Sequence, residues 1–481
     1  MDGQEMTWVQ SLDKIVGDIG GLVWGPYMLA LLVGTGLLLT VRLGLLQFRM
    51  LPYALKQAFM PQKRNADGSE PAGDVSHFGA LMTALSATIG TGNIAGVATA
   101  VALGGPGAVF WMWMTALVGM ATKYGEGVLA VKYREVNSKG EMSGGPMYYI
   151  EKGLKQKWLA VMFALFAVLA SFGIGSSVQS NSVADAVYHS FQVDPLVTGL
   201  ILTLLTGIVV LGGIKWISTA SSLIVPLMAI GYVLGGLTII LLNLDLVVPA
   251  VKIILNDAFS ASAVAGGTIG SMIRYGVARG VFSNEAGMGS APIAAAAAKT
   301  DHPVRQALVS MTGTFLDTIV VCSITGIVLV MGLLKMNAID AGTGAYLTEV
   351  VGGAPLTVST FNNMLPGEGG MIVTVGLIFF AYSTILGWCY YGEKCASYLM
   401  GDRMVPFYRF IYVMTVLLGC LAVQTGDAAG DQAGVKLVWN IADTFNGLMA
   451  APNLIALLLL SGVIVAETKD FIAKRKAGEL Q

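Results

Sequence analysis

The chain has 481 residues, of which 55% are hydrophobic and only 12% charged, with a net charge of −1 and a mean hydropathy of +0.71. A soluble domain carries roughly a quarter charged residues, and here apolar runs of about twenty residues, each long enough to cross the hydrocarbon of a bilayer, recur from end to end. These figures exclude a soluble protein, point to a polytopic one in the lipid bilayer, and give no reason to expect a nucleic-acid partner.

The N-terminal MDGQEMTWVQSLDKIVGDIGG is acidic and lacks the positive region of a cleaved signal peptide, so the first span is expected to be retained. Eleven spans are predicted, at 21–45, 78–104, 106–133, 158–191, 195–213, 216–243, 262–298, 304–334, 366–399, 405–424 and 435–465. Turn chemistry separates them, as in GGPG at 104–107, VDP at 193–195 and DHP at 301–303.

Lysine and arginine collect on one side, including Arg49, Lys56, Lys63, Arg64, Arg134, Lys139, Lys152, Lys299, Arg305 and Arg403, then Lys469 to Lys476. The other side has little beyond Lys14, Lys252, Lys335 and Lys436. The N-terminus is therefore expected outside and the C-terminus in the cytoplasm of a cell whose plasma (inner) membrane holds the chain. The stretch 49–64 suits an amphipathic helix on the cytoplasmic surface. The division expected is 1–77 for a leading helix and amphipathic segment, 78–243 for a first repeat, 244–261 for an extracellular connection, 262–465 for a second repeat and 466–481 for a cytoplasmic tail.

Two spans are interrupted alike. LSATIGTGNIAGVATAV (85–101) and GVFSNEAGMGSAPIAAAAA (280–298) both contain Asn-x-Ala-Gly, at Asn93–Gly96 and Asn284–Gly287, and small or polar residues mid-span. The two lie five spans apart and so cross in opposite directions, the signature of a five-plus-five inverted repeat behind one extra helix. Irregular backbone at membrane depth must line a cavity. Half-helix N-termini there suit a carboxylate, and half-helix carbonyls suit a small hard cation. Packing by small residues is the bland reading, and the matched pair of motifs weighs against it.

The four cysteines (Cys322, Cys389, Cys395, Cys420) fall in apolar stretches and read as core residues, and the three histidines are scattered without metal-ligand spacing. With no nucleophile, base or metal cluster in the spans, an enzyme is not expected, nor any cofactor beyond a coupling ion. A channel would carry its symmetry between subunits, not within one chain.

The blocks GGPGAVFWMWMTALVGMATKYGEGVLAVKYRE (104–135) and GGPMYYIEKGL (144–154), with GTGNIAGVA (90–98) and GVFSNEAGMGSAPIAAAAA (280–298), closely resemble the sodium:alanine/glycine symporter family. The resemblance covers essentially the whole chain. It implies an all-α leucine-transporter-type fold with an extra N-terminal helix, and sodium-driven uptake of alanine or glycine. It also implies that Thr91, Gly92 and Asn93 hold the substrate carboxylate, while Phe282, Ser283 and Asn284 receive the amino group and close over the side chain. Gln179 and Trp388 match further pocket positions. The cation site of this fold maps onto the carbonyls of Ser86, Ile89 and Phe380 and the hydroxyls of Ser383 and Thr384.

Charges inside spans are costly, roughly 2.5–3.5 kcal/mol at the centre, and mark functional candidates. Asp317 could meet a second cation or a proton, or be a structural acid satisfied by hydroxyls such as Thr314. Arg279 and Asp443 could pair as an outer gate. Lys123 and Glu126, three apart on one helix, are expected to neutralise one another near the inner surface. Arg274 has no evident role. The rival readings share the architecture: a proton-coupled amino-acid carrier, or a sodium symporter for a larger substrate such as glutamine.

Overall fold

The computed structural model describes residues 8–61, 70–259, 268–425 and 433–480, and helices dominate them. Helix α1 (Trp8–Val23) precedes α2 (Pro26–Arg42), whose proline sits at the first helical position, where its missing N–H loses no bond. The first span predicted, 21–45, is thus preceded by a helix the hydropathy did not signal. Short helices α3 (Leu46–Arg49) and α4 (Leu51–Phe59) follow. The α4 segment is more than a surface helix: it buries Ala54 and Ala58, and its Tyr53 and Gln57 accept hydrogen bonds from Arg305. Residues 62–64 of the stretch predicted to be amphipathic lie outside the described residues.

The first repeat comprises α5 (His77–Thr88), α6 (Gly92–Gly104), α7 (Ala108–Lys132), α9 (Lys157–Phe191), α10 (Pro195–Leu211) and α11 (Gly213–Leu242), with α8 (Pro146–Leu154) in a connection. Ser76 caps α5 by accepting the Gly79 N–H at 3.0 Å, and α6 departs from α5 at an angle of 52°. The connection at 244–258 is itself a helix, α12 (Leu244–Ala258). The second repeat comprises α13 (Thr268–Asn284), α14 (Ala291–Ala296), α15 (Pro303–Lys335), α17 (Gly370–Met400), α18 (Val405–Leu421) and α19 (Ala433–Leu459), with α16 (Ala354–Met364) before α17. The last span ends at Leu459 instead of 465, and the chain continues in α20 (Ser461–Lys476), so the segment expected as a tail is helical.

Among the described residues, seven helices are long and apolar enough to span alone, counting α1 with α2 as one, and the bent α5–α6 pair makes an eighth. The remaining three predicted spans fall on α7, which carries Lys123 and Glu126, the 17-residue α10, and the broken α13–α14 pair. Burial sorts the spans: 72% and 67% of the apolar windows of α15 and α17 are covered, against 33% in α11 and α18. The former stand at the centre, while exposed leucines such as Leu204, Leu223 and Leu227 form a lipid face.

Among the described residues, three spans carry π turns, at Gly92–Gly96, Ser171–Ser177 and Phe315–Cys322. Such turns free backbone groups and often mark functional sites. On the cytoplasmic side expected from the charge count, Val75 forms a parallel bridge with Ala298, tying the start of α5 to the segment after α14. Arg134 clamps this junction by donating to the carbonyls of Ala72, Ala296 and Ala298.

Candidate substrate and cation site

The two breaks meet at the centre of the bundle. In the first, α5 stops at Thr88 and Asn93 Oδ1 accepts the Gly90 N–H at 2.9 Å, closing the turn into α6. In the second, Glu285 (φ 56°), Gly287 (φ 91°) and Gly289 (φ 82°) take left-handed conformations that end α13 and start α14. Both ends of this second break are capped from α7. Lys123 Nζ donates to the Asn284 carbonyl at 2.8 Å, and Glu126 Oε1 accepts the N–H groups of Gly287 and Gly289 at 3.1 and 3.0 Å and the Asn453 amide at 2.6 Å. The two charges face one another as expected, but the expectation of a simple pair near the inner surface is corrected: each side chain is buried at the second break and bonds a half-helix terminus of the sign that complements it.

A cavity of about 10 Å³, room for one water, lies between the breaks. Its walls include Gly92, Gln179, Phe282, Thr384 and Trp388 from the predicted set, together with Thr88, Gly90, Ile174 and Glu285, which the sequence reading missed. Gln179 Oε1 accepts the Thr91 N–H at 3.3 Å, and the Thr91 hydroxyl is buried without a hydrogen bond.

Asn93, Ser283 and Asn284 turn their side chains elsewhere. Asp317 receives hydrogen bonds from Asn93 Nδ2 (2.7 Å), Ser283 Oγ (2.9 Å) and Thr318 Oγ1 (2.7 Å), and Asn284 Nδ2 donates to Thr318 Oγ1 at 3.0 Å. Asp317 thus joins the two broken spans through one carboxylate. Its partner hydroxyls are Thr318 and Ser283 and not Thr314, whose hydroxyl is buried and unbonded.

The five oxygens expected around a cation converge between α5 and α17. Ser383 Oγ lies 3.3 Å from the Ser86 carbonyl, Thr384 Oγ1 3.4 Å from that of Ile89, and both hydroxyls 2.9 Å from that of Phe380. Bonding to Phe380 is ordinary for hydroxyls within a helix, but reaching across to α5 is not. Gly387 permits the approach: a Cβ there would meet Ala87 N at 2.8 Å.

Above the cavity, Arg279 Nη2 pairs with Asp443 Oδ2 at 3.1 Å and lies over the Phe282 ring, which stacks on Trp439. A cavity of about 600 Å³ opens beyond them, lined by Gly96, Asn181, Asp185, Arg279 and Asp443. Arg274 reaches the neighbourhood of Gly21 on α1. If the ion pair controls access, Arg279→Asp with Asp443→Arg restores part of the uptake lost in either single reversal, with a coupling of roughly 0.5–3 kcal/mol in a double-mutant cycle. Strictly additive losses would remove the gate from the account.

Paired broken helices, a shared central cavity and cation-suited oxygens beside it define a secondary transporter of the leucine-transporter-type fold. The structure is similar to that of MhsT in complex with L-phenylalanine, with a TM-score of 0.58 over 84% of this chain and 99% of that one at 14% identity, a likeness of fold alone. The model of the family described as the sodium:alanine symporter family matches residues 9–481. The chain is 59% identical over 467 residues to the sodium/alanine symporter AgcS of Methanococcus maripaludis, covering 96% of this chain and 98% of that protein. It is 38% identical to the putative sodium/proton-dependent alanine carrier protein YrbD of Bacillus subtilis, covering 96% and 93%. The chain belongs to the sodium:alanine symporter family.

Proposed function

We propose that this symporter imports alanine or glycine with sodium by alternating access, with its N-terminus outside and its C-terminus in the cytoplasm. The repeats at 78–243 and 262–465 rock about the shared site. In this reading Thr91, Gly92 and Asn93 offer the first break to the substrate carboxylate. Phe282 forms the opposite wall, Ser283 and Asn284 offer the backbone beside it to the amino group, and Gln179 and Trp388 limit the side chain. Sodium binds among the oxygens of Ser86, Ile89, Phe380, Ser383 and Thr384.

The observation that carries the reading is Thr384, which lines the central cavity and whose hydroxyl also lies among the oxygens proposed for the cation. One residue touching both ligands is a direct route to coupling, since each ligand orders the groups that the other needs. The second reading, proton coupling, draws on Asp317, the buried acid that bonds both broken spans.

The cavity is narrow, and a hydrophobic pocket discriminates by about 1–3 kcal/mol per methylene. Glycine and unlabelled alanine are expected to compete with labelled alanine far better than glutamine, leucine or phenylalanine in proteoliposome uptake. Equal competition by glutamine or leucine would sink the small-substrate assignment.

A further inference from the structure

Among the described residues that line the central cavity, Glu285 is the one ionisable group. It is 1% exposed and sits at a backbone φ of 56°, the left-handed conformation with which α13 ends. Ser290 Oγ donates to its Oε2 at 2.7 Å, and the Trp388 side chain also hydrogen-bonds it. The charges facing it are Lys123 and Asp317. Lys123 is committed to the Asn284 carbonyl, and the more buried ion pairs, Arg279–Asp443, Lys394–Glu141 and Arg409–Glu393, do not involve Glu285. Lys123 is also shared with the buried Glu126 and Asp317, so this cluster holds three carboxyl groups against one ammonium and can take a further cation at Glu285.

A zwitterion in this cavity needs an anion receptor on one wall and a cation receptor on the other. The start of α6, with the buried and unbonded Thr91 hydroxyl, supplies the first. We propose that Glu285 supplies the second, receiving the ammonium of the transported amino acid and making the site specific for α-amino acids over α-hydroxy acids. The proposal rests on the small-amino-acid reading above.

The test uses the full-length protein, purified, with thermal stabilisation by sodium alone and by alanine in saturating sodium. Glu285→Gln keeps the shape and the acceptor for Ser290 but removes the charge; Glu285→Asp keeps the charge and shortens the reach. The expected result is a loss of alanine affinity on the order of 30-fold in Glu285→Gln, a smaller loss in Glu285→Asp, and retained stabilisation by sodium in both. Lactate, which has a hydroxyl where alanine has its ammonium, is bound by Glu285→Gln as by the wild type. Wild-type alanine affinity in Glu285→Gln, or an affinity at least as good as that of Glu285→Asp, would overturn the proposal. So would an equal loss for alanine and lactate, which would make Glu285 a residue of shape alone. A wild-type protein that alanine and glycine do not stabilise would defeat the functional reading itself, and this arm is independent of the variants.

Discussion

Lys123→Met is expected to cost about 3–5 kcal/mol of stability and to lower the unfolding temperature steeply, because breaking a buried charge cluster leaves its other members uncompensated. The ammonium is 2% exposed, bonds the carbonyl at the end of α13, and faces Glu126, Glu285 and Asp317. Methionine fills the volume but returns neither the bond nor the charge. Glu126→Gln is expected to be milder, since its amide oxygen can still accept from Gly287 and Gly289, and Glu126 Oε2 has no partner to lose. The comparison is made by thermal unfolding of both variants in detergent. A Lys123→Met protein as stable as the wild type would mean that the second break closes without its cap.

The second large effect concerns the proposed cation site. Ser383→Ala with Thr384→Ala removes two of five oxygens and leaves the carbonyls of Ser86 and Ile89 facing methyl groups. The sodium concentration for half-maximal uptake is expected to rise by roughly tenfold or more, the equivalent of at least about 1.4 kcal/mol. Affinity for alanine at saturating sodium is expected to change far less, because Thr384 is only one wall of the cavity. Parallel losses in both constants would show that the hydroxyls serve packing between α5 and α17.

Much of this arrangement was legible in the sequence because its signals are local. Apolar runs mark α9, α11, α15 and α17 to within a few residues, and the repeated Asn-x-Ala-Gly marks both breaks. Trp8–Val23 escaped notice because aspartates and a lysine interrupt its apolar residues; it is held in place tertiarily, through Asp13 to Asn440 and through Trp24 to the Asp443 carbonyl. The spacing of Lys123 and Glu126 suggested a local pair, whereas both serve a break more than 150 positions away, a partnership no window of sequence contains. The family resemblance implies Asn93 and Ser283 as substrate ligands, and nothing in their local sequence reveals that Asp317, more than thirty positions from either, draws both side chains. Glu285 is passed over in the sequence as the variable position of Asn-x-Ala-Gly, and only the geometry shows that it lines the cavity.

Sodium entry on a 100 mV potential releases about 2.3 kcal/mol. A tenfold gradient adds about 1.4 kcal/mol, so one sodium ion can hold neutral alanine at roughly 500-fold accumulation. The most direct test is uptake of labelled alanine into proteoliposomes containing the purified protein, with sodium and proton gradients imposed separately. The account predicts concentrative uptake driven by inward sodium at uniform pH, and none driven by a pH gradient in sodium-free buffer. Undiminished uptake on the pH gradient without sodium would contradict it and assign the coupling to protons.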